Sequence, residues 1–341
     1  MKIWFDILTP KQLLFFGPMA QKLGKNHKIL CTSRNYSQVV DLAKLKHVNL
    51  LIVGKHGGSG RKDKLKASAK RVEHLTDIIS KLSPDLAISF CSPEASRVAF
   101  GLGIKHIVFS DSPHAEAVMK LALPFAQKLL IPWIIPKKEF VKYGISKNNI
   151  VQYKAIDAAV IVKNVSDVRP IVANSHKKTI VIRLEESSAA YVIGKTSISN
   201  SIICKFSQER EKYNVIVLAR YKSQIDNLRK EFGNKVRIMN KVIDGKSLLS
   251  VTDLFIGSGG TMTAESALMG IPTISYDAVP NYIEKYLVKI GLVKRETSPR
   301  NILQVARKML TEGPKNKEKA RKILNSMEDP FSKLVSVIKT L

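Results

Sequence analysis

Gly257-Ser-Gly-Gly-Thr-Met-Thr-Ala-Glu-Ser-Ala-Leu-Met-Gly-Ile-Pro272 is the stretch on which the fold turns. The run before it, Thr252-Asp-Leu-Phe-Ile256, is short and apolar, the pattern of a buried strand. The run after Gly260 has helical character and is stopped by Gly270 and Pro272, and Thr273-Ile-Ser275 starts another strand. The glycines therefore stand at a strand-to-helix turn. There the backbone can approach a ligand closely, and the first helical N–H groups, backed by the helix dipole, suit a phosphate. Ser258, Gly259, Gly260 and Thr261 are the candidate phosphate contacts, and Thr263 adds a hydroxyl. Glu265, within the first two turns, suits the two hydroxyls of a ribose rather than a diphosphate. Diphosphate and ribose together make a nucleotide.

Outward from this point the chain keeps one rhythm. Strands are expected at Thr179–Arg183, Asn214–Ala219, Val236–Met239, Leu254–Gly257 and Thr273–Ser275, with helical stretches between them. The first half repeats it, with strands at Ile3–Leu8, Lys28–Thr32, Asn49–Val53, Leu86–Phe90 and His106–Ser110. Alternating strands and helices imply parallel sheets covered on both faces. The 341 residues fit two domains of ordinary size. We expect a Rossmann-like domain over 1–165 and a second over 175–341, its last helix free to return to the first, with a central cleft between them. In such sheets ligands bind beyond the carboxyl ends of the strands.

Ser258-Gly-Gly-Thr-x-Thr-x-Glu265 with Gly270-Ile-Pro272 resembles the donor-nucleotide motif of the GT-B glycosyltransferases, whose relatives include the non-hydrolysing UDP-GlcNAc 2-epimerases. The resemblance implies a glycine loop on the diphosphate, Glu265 on the ribose, and an arginine after the domain's first strand, here Arg183. Ser187, Ser188 and Arg220 are further candidates, and Lys241-Val-Ile243 falls where that superfamily holds the base through backbone contacts. Asp6-Ile-Leu-Thr-Pro-Lys-Gln12, His56-Gly-Gly-Ser59, Ser92-Pro-Glu-Ala95, Asp111-Ser-Pro-His-Ala-Glu116 and Pro132-Trp133 together resemble an uncharacterised, largely archaeal family of unknown function grouped with GT-B proteins. That resemblance covers nearly the whole chain and implies a fold without supplying a reaction.

Several strand ends of the first half carry chemistry. Asp6 is a candidate general base or a turn cap, and Lys11 a candidate phosphate contact or a solvated cation. His56, Gly57 and Gly58 belong to a second glycine-rich loop that would admit an anionic acceptor to its N–H groups or serve as a plain connection. Asp111, His114 and Glu116 put three titratable groups within six residues, as acid–base chemistry or acceptor binding requires, or as the cap of a helix starting near His114. His114-Ala-Glu116-Ala117 resembles the His-x-Glu-Ala of the 2-epimerases, but Val118-Met-Lys120 replaces their Gly-Leu-Arg. No third or fourth metal ligand stands at useful spacing, and no cofactor is called for.

The net charge of +28 admits nucleic acid, an anionic membrane surface or anionic substrates. Aromatics are 7% and no zinc-finger or RNP pattern occurs, which argues against specific nucleic-acid binding. Leu121–Pro136, apolar with three prolines, reads either as a segment dipping into a bilayer interface or as buried core. Three widely spaced cysteines, Cys31, Cys91 and Cys204, read as thiols in a reducing compartment. With no leader or spanning run, the expectation is a cytoplasmic protein with peripheral contact at the inner membrane face.

The leading functional reading is a metal-independent glycosyltransferase taking a nucleotide sugar, a UDP-sugar first, to an anionic or lipid-linked acceptor. A 2-epimerase and a non-catalytic binder of anionic polymer or membrane are the alternatives.

Overall fold

The computed structural model describes residues 1–58, 60–164, 176–184, 198–219, 222–239, 244–276 and 281–341. The chain divides into two compact units, one of Met1–Ile161 with Glu328–Leu341 and one of Val162–Met327.

The first unit holds strands β1 (Lys2–Asp6), β2 (Lys28–Asn35), β3 (Leu51–Lys55), β4 (Leu86–Ser89), β5 (Lys105–Phe109), β6 (Lys128–Pro132) and β7 (Ile150–Tyr153). They form one parallel sheet in the order β3-β2-β1-β4-β5-β6-β7. Its helices begin where the side chains dictate. Thr9 accepts a hydrogen bond from the N–H of Gln12 with Pro10 in the first turn, and Ser92 does the same for Ala95 with Pro93. One face of the sheet is sealed by Phe15 and Phe16 of helix Pro10–Leu23, whose rings lie 4.9–5.5 Å from those of Phe5, Phe90 and Phe109. Helix Pro330–Lys339, which follows the whole second unit in sequence, packs beside β7.

The second unit holds β8 (Lys178–Arg183), β9 (Tyr213–Leu218), β10 (Arg237–Met239), β11 (Leu254–Gly257), β12 (Thr273–Ser275) and β13 (Lys294–Arg295). They too are all parallel, in the order β10-β9-β8-β11-β12-β13. Alternate residues feed opposite faces. Ile180, Ile182, Leu254 and Ile256 enter one cluster with Phe206 and Ile302, while Val181 and Phe255 enter another with Leu248 and Leu249. In each unit the strand order reverses once, between β1 and β4 and between β8 and β11, and the crevice beyond those strand ends is where such a sheet takes a ligand.

Strands β6 and β7 were not expected. Leu129, Leu130, Ile131 and Ile135 are fully buried, so the buried-core alternative for Leu121–Pro136 holds over β6. The helix expected from His114 starts at Glu116 instead. No described helix is long and apolar enough to cross a membrane.

Candidate functional site

The crevice of the second unit is built from backbone. β11 lies between β8 and β12, which puts Gly257 in register with Arg183 on one side and Ser275 on the other. A Cβ on Gly257 would stand 2.6 Å from the Phe255 ring and 2.7 Å from Thr263 Oγ1, so no side chain fits there. Gly259 and Gly260 have φ of 85° and 87°, a region that L side chains enter only at a cost. Space above Gly260 is open, with nothing within 4 Å of where a Cβ would be. Gly260 is also the N-cap of helix Thr261–Leu268 and offers no side chain to its first turn. The first N–H groups of that helix therefore face a bare glycine turn, as an anion site requires. Thr263 Oγ1 is buried beside them with no hydrogen-bond partner among the described residues.

Glu265 sits one turn further in and is 6% exposed. No hydrogen-bond donor of the described residues reaches its carboxyl group. Burial raises its pKa to about 7, with Asp244 adding to the effect and Arg183 opposing it. Gly245 lies beside it, where a Cβ would stand in ordinary van der Waals contact, 3.5 Å from Glu265 Oε2. The carbonyl of Arg183 is held by the Tyr276 hydroxyl at 3.0 Å, and Arg183 Nη1 lies 3.4 Å from Met262 Sδ. The structure thus brings Arg183, Gly259, Gly260, Thr261 and Glu265 to one end of one sheet, with Ser258 half-buried in the loop between them. Ser187, Ser188, Arg220 and Lys241-Val-Ile243 lie outside the described residues.

The matching crevice of the first unit is filled by its own side chains. Asp6, 1% exposed, takes four hydrogen bonds: from Arg71 Nη2 at 2.6 Å and Nη1 at 3.1 Å, Thr32 Oγ1 at 2.7 Å and Ser92 Oγ at 2.6 Å. Arg71 Nε goes to the Val53 carbonyl at 2.9 Å. Burial alone would raise the Asp6 pKa, but the Arg71 charge and these hydrogen bonds hold it below its usual value. The expectation of Asp6 as a general base is therefore corrected: every lone pair in reach is taken, and the carboxylate anchors a buried ion pair. The partner, Arg71, is itself 1% exposed.

Lys11 and Asp111 meet a residue that sequence reasoning missed. Lys11 Nζ lies 2.6 Å from Asp111 and 2.9 Å from Asp157, and 4.6 Å from the centre of the Phe90 ring. The Tyr153 hydroxyl donates to Asp157 Oδ1 at 2.7 Å, and the Ser112 hydroxyl to Asp111 Oδ1 at 2.8 Å. Both carboxylates thus meet the same Lys11 Nζ. Burial, reinforced by Asp111, raises Asp157 to about 6 although Lys11 and Tyr153 pull it down. Burial would raise Asp111 as well, but Lys11 holds it below its usual value. Lys11 is thus neutralised inside the unit and is not a free phosphate contact.

The other candidates stand apart. Glu116 pairs with Lys120 one helical turn on, at 2.6 Å, with its side chain 64% exposed. His114 is exposed in the turn before that helix. The His56 ring stacks on Tyr36 at 5.5 Å, and its Nδ1 accepts the Gly58 N–H at 3.1 Å, so that N–H is not presented to an anion. Gly57 is tight against the start of helix Arg61–Leu82, where a Cβ would be 2.6 Å from Lys64 Cα. Packing and turn geometry account for that loop. Among the described residues no three of His, Cys, Asp and Glu stand together as metal ligands.

The chain belongs to the family described as Protein of unknown function (DUF354), whose model matches residues 1–340. An uncharacterized protein of Methanocaldococcus jannaschii is 33% identical over 299 residues, covering 84% of this chain and 85% of that one. Among solved structures, a UDP-GlcNAc 2-epimerase from Neisseria meningitidis bound to UDP-GlcNAc matches with a TM-score of 0.74 at 15% identity, each chain covered in full. Spinosyn forosaminyltransferase SpnP matches with a TM-score of 0.65 at 13% identity over 99% of both chains. At such identities the likeness establishes the fold alone, two Rossmann-like units as in these solved structures.

Proposed function

We propose that this protein is a nucleotide-sugar-dependent glycosyltransferase whose nucleotide site is the β8–β11 crevice of the second unit. One observation carries the reading. Glu265 is buried with no donor among the described residues, next to an uncapped helix N-terminus lined by glycines. Two ribose hydroxyls would donate to Glu265. The diphosphate would take the first N–H groups of helix Thr261–Leu268 and the hydroxyl of Thr261, with Arg183 opposite developing charge on the leaving group. The acceptor binds on the first unit. The solved neighbours support a nucleotide sugar as ligand, since one was captured with UDP-GlcNAc and the other is a sugar transferase by name.

The similarity to the UDP-GlcNAc 2-epimerase also keeps that activity as a second reading. It predicts UDP-ManNAc from UDP-GlcNAc with no acceptor. Against it, Glu116 of the His-x-Glu-Ala stretch is exposed and paired with Lys120.

The test is thermal stability of the full chain with UDP, GDP and dTDP and their sugars. A ligand at a hundred times its Kd stabilises by about 2.7 kcal/mol. A rise in Tm with one nucleotide family, lost in Glu265→Ala, is expected. If the folded protein responds to none of them, the proposal fails.

A further inference from the structure

Arg34 is half-buried at the carboxyl end of β2, one strand away from the filled β1–β4 crevice. The ladder is irregular at this residue. Ser33 pairs with Ile52 and Asn35 with Lys55, so Arg34 faces both Val53 and Gly54. Gly54 absorbs the extra residue with a φ of 74°. Bulges of this kind re-aim a side chain and are over-represented beside active sites.

The side chain so placed lacks a counterpart. Arg34 Nε is buried with no hydrogen-bond partner among the described residues. The two carboxylates that act on it are committed elsewhere. Asp6 takes Arg71, Thr32 and Ser92, while Glu94 Oε2 meets Ser92 Oγ at 3.4 Å and Arg71 Nη1 at 4.0 Å. Burial pulls the Arg34 pKa below its ordinary value; Glu94 opposes this and the Arg71 charge adds to it. A buried donor is rarely left orphaned in a folded protein, and a bound ion is one reason for it. The surroundings add positive charge. Lys55 ends β3 in register with Asn35, and Arg61, Lys62 and Lys64 open helix Arg61–Leu82, all of them exposed. Gly57 packs on Lys64 Cα, which ties that helix start to the end of β3.

We propose that Arg34 anchors an oxyanion site on the first unit and takes a phosphate group on its guanidinium, with Lys55 and the first turn of helix Arg61–Leu82 adding attraction from the rim. The planar fork matches two phosphate oxygens. That this phosphate belongs to the acceptor rests on the transferase reading above; the site itself does not. A phosphorylated acceptor is either a soluble phosphate ester or a lipid headgroup, and the chemistry at Arg34 is the same for both. Until phosphate pairs with it, the orphaned charge weighs against the folded protein.

The experiment uses the full chain labelled with 15N at arginine Nε. It is titrated with inorganic phosphate against chloride of equal ionic strength, because a chain of net charge +28 attracts any anion. The Nε–Hε resonance of Arg34, identified by its absence from Arg34→Met, is expected to move to saturation. Arg34→Met should weaken phosphate binding by about tenfold or more, and Lys62→Met, an equal loss of charge on the rim, by about twofold at most. In phosphate-free buffer Arg34→Met should melt no lower than wild type. A resonance that stays still, or equal affinities in the two variants, overturns the site. So does a lower melting temperature of Arg34→Met without phosphate, since the guanidinium would then be holding the fold. Two further arms separate the sources. Methyl phosphate moving the resonance, with no sedimentation on phosphatidylcholine vesicles containing phosphatidic acid, supports the site with a soluble ester. Sedimentation on those vesicles, absent with phosphatidylcholine alone and lost in Arg34→Met, supports it with a lipid headgroup. The nucleotide site is judged apart, because Glu265→Ala should leave the Arg34 shift unchanged. A chain that answers phosphate at Arg34 and no nucleotide keeps this site and loses the transferase reading.

Discussion

The two sheets reverse strand order at the same kind of point and treat the space there in opposite ways. At the β1–β4 crossover of the first unit, Arg71, Thr32 and Ser92 close on Asp6 and fill the crevice. At the β8–β11 crossover of the second unit, glycines leave it open and no donor among the described residues reaches Glu265. Each crossover buries one carboxylate, and the environments drive their pKa values apart, Asp6 downward and Glu265 up to about 7. Topology makes two possible ligand crevices. Side-chain occupancy decides which of them is available.

The largest effect should come from breaking the filled crevice. Asp6→Ala strands a buried guanidinium, and such a break costs about 3–5 kcal/mol. Urea denaturation at pH 7 measures it, and the double variant Asp6→Ala with Arg71→Met should recover part of the loss. A loss below about 1 kcal/mol would mean that water reaches Arg71 and that the two crevices are more alike than they look.

The open crevice should respond in the other direction. The folded-state pKa of Glu265 is raised from 4.5 to about 7, so folding favours its protonated form. That contribution is lost as pH rises from 4.5 through about 7, leaving an ionised, desolvated group above. Glu265→Gln should therefore be more stable than wild type at pH 8, by something on the order of 2 kcal/mol, and no different at pH 4. Nucleotide response should vanish in the same variant. A stability difference that does not change with pH would show that Glu265 already has a partner in the folded protein. Asp6 contributes with the opposite slope. Its depressed pKa gives stability that is present above the ordinary value of 3.8 and is lost as pH falls through the lower folded value.

The smallest effect belongs to Glu116, exposed on a helix with only Lys120 for company. Glu116→Gln should leave both melting temperature and UDP-GlcNAc turnover at wild-type values. A large drop in turnover would restore the epimerase reading of that segment.

Most of the strand rhythm was legible because buried parallel strands are short apolar runs between turn signals. β11 and β12 were read to the residue for that reason. β6 was not, since Leu121–Pro136, which contains it, mixes prolines with an apolar run too uniform to show a period. The glycine turn and Glu265 were legible because their spacing is local. The Lys11–Asp157 contact spans 146 residues, and a single aspartate before the apolar Ala158–Val162 carries no sign of it. Arg71 could have been found. It precedes Leu75 and Ile79 at intervals of four, and these three are the buried positions of their helix, so a charge stood on the apolar stripe.

The order of the chain has a consequence for how this molecule is made. Glu328–Leu341 belong to the first unit but are synthesised after the whole of the second. Lys154 N–H bonds to Glu328, Lys22 pairs with Asp329, and Leu334 and Val337 are buried in the finished protein. On the ribosome the unit begun first is thus completed last, and it carries an uncovered apolar face beside β7 for as long as its neighbour takes to emerge. A single proteolytic nick between the units would not release the first one cleanly either. It would still be tied, without a covalent bond, to a helix at the far end of the other fragment.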